Sequence, residues 1–143
     1  MEFVKSGNEY LLRLYSGEEI VSSLQRFADE NQIFSGRVSG IGAVSQAELG
    51  FFDQEAKVYQ KKMFQSDYEI LNLTGNFSLL DEKVFLHAHI LLGDQFFQVF
   101  GGHLFSALIS VTGEFFCTPF DRDIRRKFDE KAGVNLLNFH EKP

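Results

Sequence analysis

Apolar and polar positions alternate in short runs along most of the chain, and this pattern predicts mainly β-strands. Residues 10–15 read as a strand that stops at Ser16-Gly17. The spacing then changes to that of a helix of about three turns, ending near Asn31. Ser16 and Glu19 are predicted to form a capping box at its start. The apolar positions with helical spacing are Ile20, Val21, Leu24, Phe27 and Ala28.

The remainder of the chain predicts strand after strand. Residues 33–38 form a strand that enters the turn-rich segment 39–42, and residues 44–53 and 57–64 form a hairpin. Residues 68–74 precede a bend or bulge at Gly75-Asn76, and residues 84–92, 96–100 and 104–118 are further strands. After Pro119, residues 121–131 are expected to be a short polar helix. We therefore predict an α+β fold with a central, mostly antiparallel sheet, one long early helix and a short C-terminal helix.

Composition narrows the class of protein. The chain has 143 residues, of which 44% are hydrophobic and 24% charged, so we expect residues 1–143 to form a single folded domain. The lone Cys117 lies among phenylalanines and is expected to be a buried thiol. With no internal disulfide, secretory leader or long apolar span in the sequence, we expect a cytoplasmic protein outside the membrane. A net charge of −6 weighs against DNA as a partner.

Three of the four histidines fall within residues 87–103. His87 and His89 are two positions apart in an apolar run, so both must point to one face of a strand while Leu86, Ala88 and Ile90 point to the other. His103 follows Gly101-Gly102 on the next predicted strand. A third imidazole from that strand would complete the ligand set of an open zinc site.

The register of the hairpin decides whether His103 joins the pair. A two-residue turn at Gly93-Asp94 puts His103 on the wrong face, whereas a three-residue loop, Gly93-Asp94-Gln95, puts it opposite Phe85 and diagonal to His87. We predict the three-residue loop or its equivalent. A bulge at Gly101-Gly102 would rescue the shorter turn.

Three imidazoles suit Zn²⁺ or another divalent transition metal that accepts imidazole. The alternative is that the histidines are polar residues on a half-exposed face, or are hydrogen-bonded in the core. Because three histidines lie so close together in the sequence, we favour metal binding over these alternatives. His140, near the end of the chain, is expected to lie on the surface.

Five segments, which run in order through nearly the whole chain, carry a resemblance to a known family. They are Leu12-Arg13-Leu14 with Gly17-Glu18, Val38-Ser39-Gly40-Ile41-Gly42-Ala43, Glu69-Ile70-Leu71-Asn72-Leu73-Thr74-Gly75-Asn76, Phe85-Leu86-His87-Ala88-His89 and Gly101-Gly102-His103-Leu104. In these segments the sequence resembles the plants-and-prokaryotes-conserved (PPC) domain family.

The resemblance implies an α+β fold that assembles as a homotrimer. Prokaryotic members with this histidine pattern are associated with a bound metal, which corresponds here to His87, His89 and His103. Plant members are nuclear proteins with AT-hooks, and this sequence has no Arg-Gly-Arg-Pro hook. Of the plant interaction motif Gly-Arg-Phe-Glu-Ile-Leu, residues 66–71 retain only the second half, with Asp67 at the arginine position.

Two glutamates and one arginine are further candidates. Glu69 and Glu114 lie on predicted strands among apolar neighbours, where a carboxylate needs a partner. We favour an ion pair with Arg13 or Arg37, and the alternative is a catalytic base or a hydrogen bond to a ligand histidine. Arg13 is also a candidate to bind an anionic ligand.

Three functions follow from these observations, in decreasing order of support. The first is a trimeric metal-binding module with a binding or regulatory role, in which the ion either stabilises the fold or recruits a small anionic or polar ligand. The second is a metal-dependent hydrolase that uses a zinc-bound water. The third is a DNA-binding protein, by analogy with the plant relatives. Whether the protein is an enzyme is left open at this point.

Overall fold

The computed structural model describes residues 1–139, most of which lie in strands. One helix, α1 (Ile20–Glu30), follows the first hairpin. Among residues 1–139, no helix is both long and apolar enough to cross a membrane. The strands are β1 (Glu2–Ser6), β2 (Glu9–Tyr15), β3 (Gly36–Asp53), β4 (Val58–Leu80), β5 (Lys83–Gly93), β6 (Val99–Pro119), β7 (Arg125–Asp129) and β8 (Val134–Asn138).

Four long strands close on themselves. β3 pairs with β4 and β6, and β5 pairs with the same two strands, so β3, β4, β5 and β6 form a ring of antiparallel pairs. Closing the ring removes edges that would otherwise expose unpaired backbone groups. β2 and β1 extend the sheet from β6, and the β7–β8 hairpin joins β4 by a single parallel bridge. The fold of residues 1–139 is thus dominated by one sheet, with a single helix packed on it.

The core lies between α1 and the sheet. Leu24 and Phe27 of α1 are fully buried, and β2 alternates buried Leu12 and Leu14 with exposed neighbours, as its sequence pattern predicts. Cys117 is also buried, and burial raises the pKa of its thiol to about 12, so the thiol is unreactive at neutral pH.

The helix begins differently from the predicted capping box. Glu19 itself is the cap: its carboxylate accepts hydrogen bonds from the backbone N–H of Val21 at 3.0 Å and of Ser22 at 2.7 Å. It also accepts one from Ala107 of β6 at 3.1 Å, which ties the helix to the sheet. Ser16 lies in the turn after β2 with Gly17, whose φ is +85°, so it is too early in the chain to cap α1.

Strands predicted as separate are continuous. β3 runs through residues 39–42 with register shifts between Gly40 and Gly42, and β6 runs through Gly101-Gly102. The bend or bulge predicted at Gly75-Asn76 is absent, because Gly75 pairs in regular register with Ala88. Glycine is needed there for space: a Cβ on Gly75 would lie 2.3 Å from the carbonyl oxygen of His87.

The short C-terminal helix predicted for residues 121–131 is wrong. Residues 125–129 form β7, which pairs with β8. Two long-range hydrogen bonds hold this segment extended: the Ile124 N–H donates to Ser35 Oγ at 2.6 Å, and the Leu79 N–H donates to the Ile124 carbonyl at 2.8 Å. Local preference for a helix is therefore overridden by bonds to residues distant in sequence.

Candidate metal centre

The two histidines of β5 lie on the face that the alternation predicts. Leu86, Ala88 and Ile90 are buried in the core, whereas His87 is half-buried and His89 exposed on the opposite face. Across the β4–β5 pair, Asn76 lies opposite His87 and Thr74 opposite His89. Strand geometry alone thus brings two imidazoles to one place.

His103 reaches the same face by a register other than the predicted one. It pairs directly with His89, and Gly93 pairs with Val99, so the connection is longer than three residues. Asp94 shapes it, since its carboxylate accepts from the backbone N–H of Phe96 and of Gln98, each at 2.9 Å. The predicted pairing placed His103 opposite Phe85, whereas the observed pairing places it opposite His89. The two registers differ by an even number of positions, and an even shift keeps a side chain on the same face of a strand.

The three imidazoles form one cluster. Their ring centroids are 5.3 Å apart for His87 and His89, 5.1 Å for His87 and His103, and 5.6 Å for His89 and His103. One ligand atom from each residue lies within 4.8 Å of the other two. His103 Nδ1 is buried and has no hydrogen-bond partner. A buried polar atom without a partner is costly, and a metal ion would satisfy it.

Aromatic rings surround His103. Its ring centroid is 4.9 Å from that of Tyr59 and 4.7 Å from that of Phe105. Gly50 lies opposite His103 on β3, and a Cβ there would approach Phe105 to 2.5 Å. The glycine therefore leaves room for the aromatic wall beside the imidazole. Lys61 Nζ lies over the Phe105 ring, 3.7 Å from its centroid.

Arg126 of β7 lies next to the cluster, since Asn76, one of its hydrogen-bond partners, is opposite His87 in the β4–β5 pair. Its guanidinium donates to Ser78 Oγ at 2.8 Å, to Asn76 Oδ1 at 2.9 Å and to the Asn135 carbonyl at 3.0 Å. It also lies over the Phe85 ring, 5.4 Å from its centroid. Sequence reasoning missed Arg126, Tyr59 and Phe105, because nothing in the local pattern places them near the histidines.

The environment keeps two of the rings neutral. Burial lowers the pKa of His87 to about 4, with smaller contributions from the charges of Arg126 and His89. Burial likewise lowers the pKa of His103 to about 4, helped by the neighbouring histidines, Arg126 and Lys61. Neutral imidazole is the form that binds a metal, so both rings are available as ligands at neutral pH.

The same shifts predict how stability depends on pH. In the unfolded chain His87 and His103 bind protons below about pH 6.5, whereas in the folded chain they do so only near pH 4. The free energy of unfolding of the metal-free protein should therefore fall as pH drops from about 6.5 to 4. Urea titrations with a chelator present, at pH 7.5, 6 and 5, measure this. His87→Gln should flatten the slope in that window, and an unchanged slope would contradict the assignment.

The other candidate residues lie elsewhere on the sheet. Glu69 pairs with Gly93, four residues beyond His89 on β5, and Glu114 pairs with Arg13 and Ile41. Both carboxylates are exposed, so they have apolar neighbours but are not buried in a way that would require a partner. Arg13 is exposed, and its Nη1 lies 3.6 Å from Oε1 of Glu2. The roles suggested for these three residues remain predictions, and His140 lies outside the described residues.

A family model described as the Plants and Prokaryotes Conserved (PCC) domain matches residues 1–121. The chain belongs to this family. The resemblance found in the sequence is therefore confirmed, and the three histidines and Gly75 all fall inside the matched PCC region. Arg126 lies beyond it.

Three comparisons show what this PCC chain is similar to. A presumed DNA-binding protein from Bacteroides thetaiotaomicron is 37% identical, with a TM-score of 0.95 and 98% of each chain covered. A metal-containing protein from Archaeoglobus fulgidus is 41% identical, with a TM-score of 0.86 and 96% of each chain covered. The bifunctional protein GlmU of Synechococcus sp. is 36% identical over 96 residues, which are 66% of this chain and 14% of that protein. The description of the Bacteroides protein counts against our expectation that DNA is not a partner.

Proposed function

We propose that this PCC protein is a homotrimeric metal-binding module in which His87, His89 and His103 hold a divalent ion, with zinc the first choice. The observation that carries the proposal is the convergence of three ligand atoms within 4.8 Å, one of them on each histidine. Three nitrogen ligands leave a further coordination position open, so the bound ion could accept a water or a small ligand. The metal-containing relative from Archaeoglobus fulgidus supports the same assignment.

The donor set also limits the choice of ion. Imidazole nitrogens suit zinc, copper, nickel and iron, whereas calcium and magnesium require mostly oxygen ligands. Within residues 1–139, the group of side chains that could hold an ion here consists of three histidines and includes no carboxylate. We therefore expect a transition metal, not an alkaline-earth ion, at this site.

Metal analysis of the purified protein tests the proposal. The wild-type protein should carry about one transition-metal ion per chain, and the variant with His87, His89 and His103 all replaced by alanine should carry none. Circular dichroism of both proteins after chelator treatment provides the control for folding. If the wild-type protein takes up no zinc, cobalt or nickel in dialysis, the metal site is refuted.

A homotrimer is proposed from the family resemblance, and an exposed apolar face supports it. Ile41, Leu71 and Val111 line a cavity of about 420 Å³ together with Glu69 and Glu114. The side chain of Val111 is 71% exposed in the isolated chain. Contiguous exposed apolar side chains are typical of surfaces that bind another protein. Glu69 and Glu114 are then candidates for contacts between subunits.

Size-exclusion chromatography with light scattering measures the assembly. The wild-type protein should have three times the chain mass of 16.4 kDa. Val111→Glu should reduce this mass, because a buried unpaired carboxylate destabilises an interface. Val58→Glu is the matched control, since Val58 is also exposed on a strand but does not line this cavity. A wild-type monomer would remove the proposal.

The hydrolase alternative lacks a base at the cluster. A metal-dependent hydrolase is expected to place a carboxylate within about 3–5 Å of the bound water, directly or through a hydrogen bond. Within residues 1–139, Glu69 and Glu114 are on other parts of the sheet. We therefore rank a binding role above catalysis. Turnover of simple esters or phosphoesters that disappears in His87→Ala would reverse this ranking.

DNA binding is the second candidate because of the Bacteroides relative's description. The net charge of −6 opposes it, because duplex DNA is a polyanion. Fluorescence anisotropy with a labelled duplex at about 150 mM salt separates a DNA-binding function from non-specific electrostatic attraction, because the latter weakens steeply with salt. Affinity that persists at that salt concentration would support a DNA-binding function.

A further inference from the structure

Arg126 is a half-buried cation that no acidic side chain of residues 1–139 neutralises. Within residues 1–139, no carboxylate oxygen lies within 4.0 Å of its guanidinium. Its three hydrogen bonds go to neutral acceptors, on Ser78, Asn76 and Asn135. A guanidinium carries five N–H donors, so two of them are left without a partner in this part of the chain. Burial also lowers the pKa of Arg126.

Two other cations near Arg126 form ion pairs with carboxylates. Arg125, the preceding residue, forms an ion pair with Glu82 at 2.9 Å, and Lys61 forms one with Glu48 at 3.3 Å. Arg126 thus stands out as a charge that is partly removed from water without a counter-ion among residues 1–139. Such a charge is destabilising unless an anion from outside the chain compensates it.

Arg126 is also held next to the histidine cluster. Asn76, which accepts its Nη2 hydrogen bond, lies opposite His87 in the β4–β5 pair. Phe85, which lies under the guanidinium, is on the same face of β5 as His87. Tyr59 contacts the His103 ring and acts electrostatically on Arg126, so both residues border the same space. Three neutral hydrogen-bond partners fix the guanidinium in this position.

We propose that Arg126 binds an oxyanion, a carboxylate or a phosphate group, at the metal centre. One oxygen of the anion would take the open position of the ion, and another would accept hydrogen bonds from the free guanidinium donors. Arginine recognises such groups by two parallel hydrogen bonds. This inference rests on the proposed metal site. It names the ligand class of that site and assigns recognition to a residue outside the matched PCC region.

Cobalt-loaded protein provides the test, because anion binding to cobalt changes its visible absorption. Inorganic phosphate and acetate are titrated separately into the wild-type protein and into Arg126→Gln. We expect at least one anion to bind the wild-type protein about 10- to 100-fold more tightly than the variant. Arg125→Gln is the matched control on the same strand, and its anion affinity should equal that of the wild type. If acetate binds more tightly than phosphate, the natural ligand is expected to carry a carboxylate. If phosphate binds more tightly, the ligand is expected to carry a phosphate group.

Cobalt content is measured in every sample, which separates the two proposals. A wild-type protein without cobalt overturns both. Full cobalt loading with equal anion affinities in the wild type and Arg126→Gln overturns the role of Arg126 alone, as does a wild-type spectrum that neither anion changes. Arg126→Lys keeps the charge without the two-pronged geometry. Its affinity should lie below that of the wild type, and it decides the question if Arg126→Gln fails to load cobalt.

Discussion

Replacing His103 with alanine is expected to lower zinc affinity by more than about 100-fold, because the ion would lose one of three protein ligands. The weaker binding should also reduce the amount by which zinc raises the free energy of unfolding. At a free zinc concentration about 1,000 times the wild-type dissociation constant, binding adds about 4.1 kcal/mol to the free energy of unfolding. A 100-fold weaker site leaves about 1.4 kcal/mol at the same concentration. Urea titrations with and without zinc measure this difference.

The chain offers its own control for this prediction. His140→Ala removes the one histidine outside residues 87–103, which we predict to be a surface residue, so the zinc-dependent stabilisation should match that of the wild type. Without zinc, His103→Ala should still fold, since His103 is half-buried and is not part of the hydrophobic core. Equal zinc-dependent stabilisation in wild type and His103→Ala would place the ion elsewhere.

The second large effect is expected at Gly75, which lies between β3 and β5 in the ring of strands. In Gly75→Ala the new methyl group would lie 2.3 Å from the His87 carbonyl oxygen and 2.8 Å from Ala88 Cα. Backbone atoms cannot move aside cheaply, so we expect the free energy of unfolding to fall by about 2–3 kcal/mol. Because the displaced segment carries His87 and His89, zinc affinity should fall as well. Chemical denaturation and metal titration report the two effects.

Gly93→Ala separates this steric effect from the general effect of adding a methyl group. A Cβ on Gly93 would touch only the end of the Leu71 side chain, at 3.2 Å and beyond. That side chain is flexible and half exposed, so the cost should be small. If the two alanine variants were equally stable, close approach of β5 would not explain the glycine at position 75.

The histidine face of β5 was predictable, and the reason is local. Alternation in a strand is set by backbone geometry, so His87 and His89 share a face whatever the strand pairs with. The identity of the partner strand followed from the short spacing to Gly101-Gly102-His103. The length of the loop did not follow, because the hydrogen bonds of Asp94 that shape it leave no clear pattern in the sequence. An even error in register preserved the cluster.

The third ligand's surroundings could not be predicted in the same way. Tyr59 of β4 contacts His103 of β6 across β3, which lies between these two strands. The contact also requires that β3 has a glycine, Gly50, opposite His103. Arg126 reaches His87 only because residues 125–129 pair as a strand with β8 and lie next to Leu79 of β4. Both placements depend on contacts between residues far apart in the chain.

The amino-acid sequence by itself determined the family, the predominance of strands, the early helix and the three candidate ligands, because these follow from periodicity and residue type. Tertiary structure alone decided the closed ring of four strands, the pairing of His89 with His103 and the position of Arg126 beside His87. The physical reason is that a strand's faces are local properties, whereas its neighbours are chosen by hydrogen bonding and packing over the whole chain.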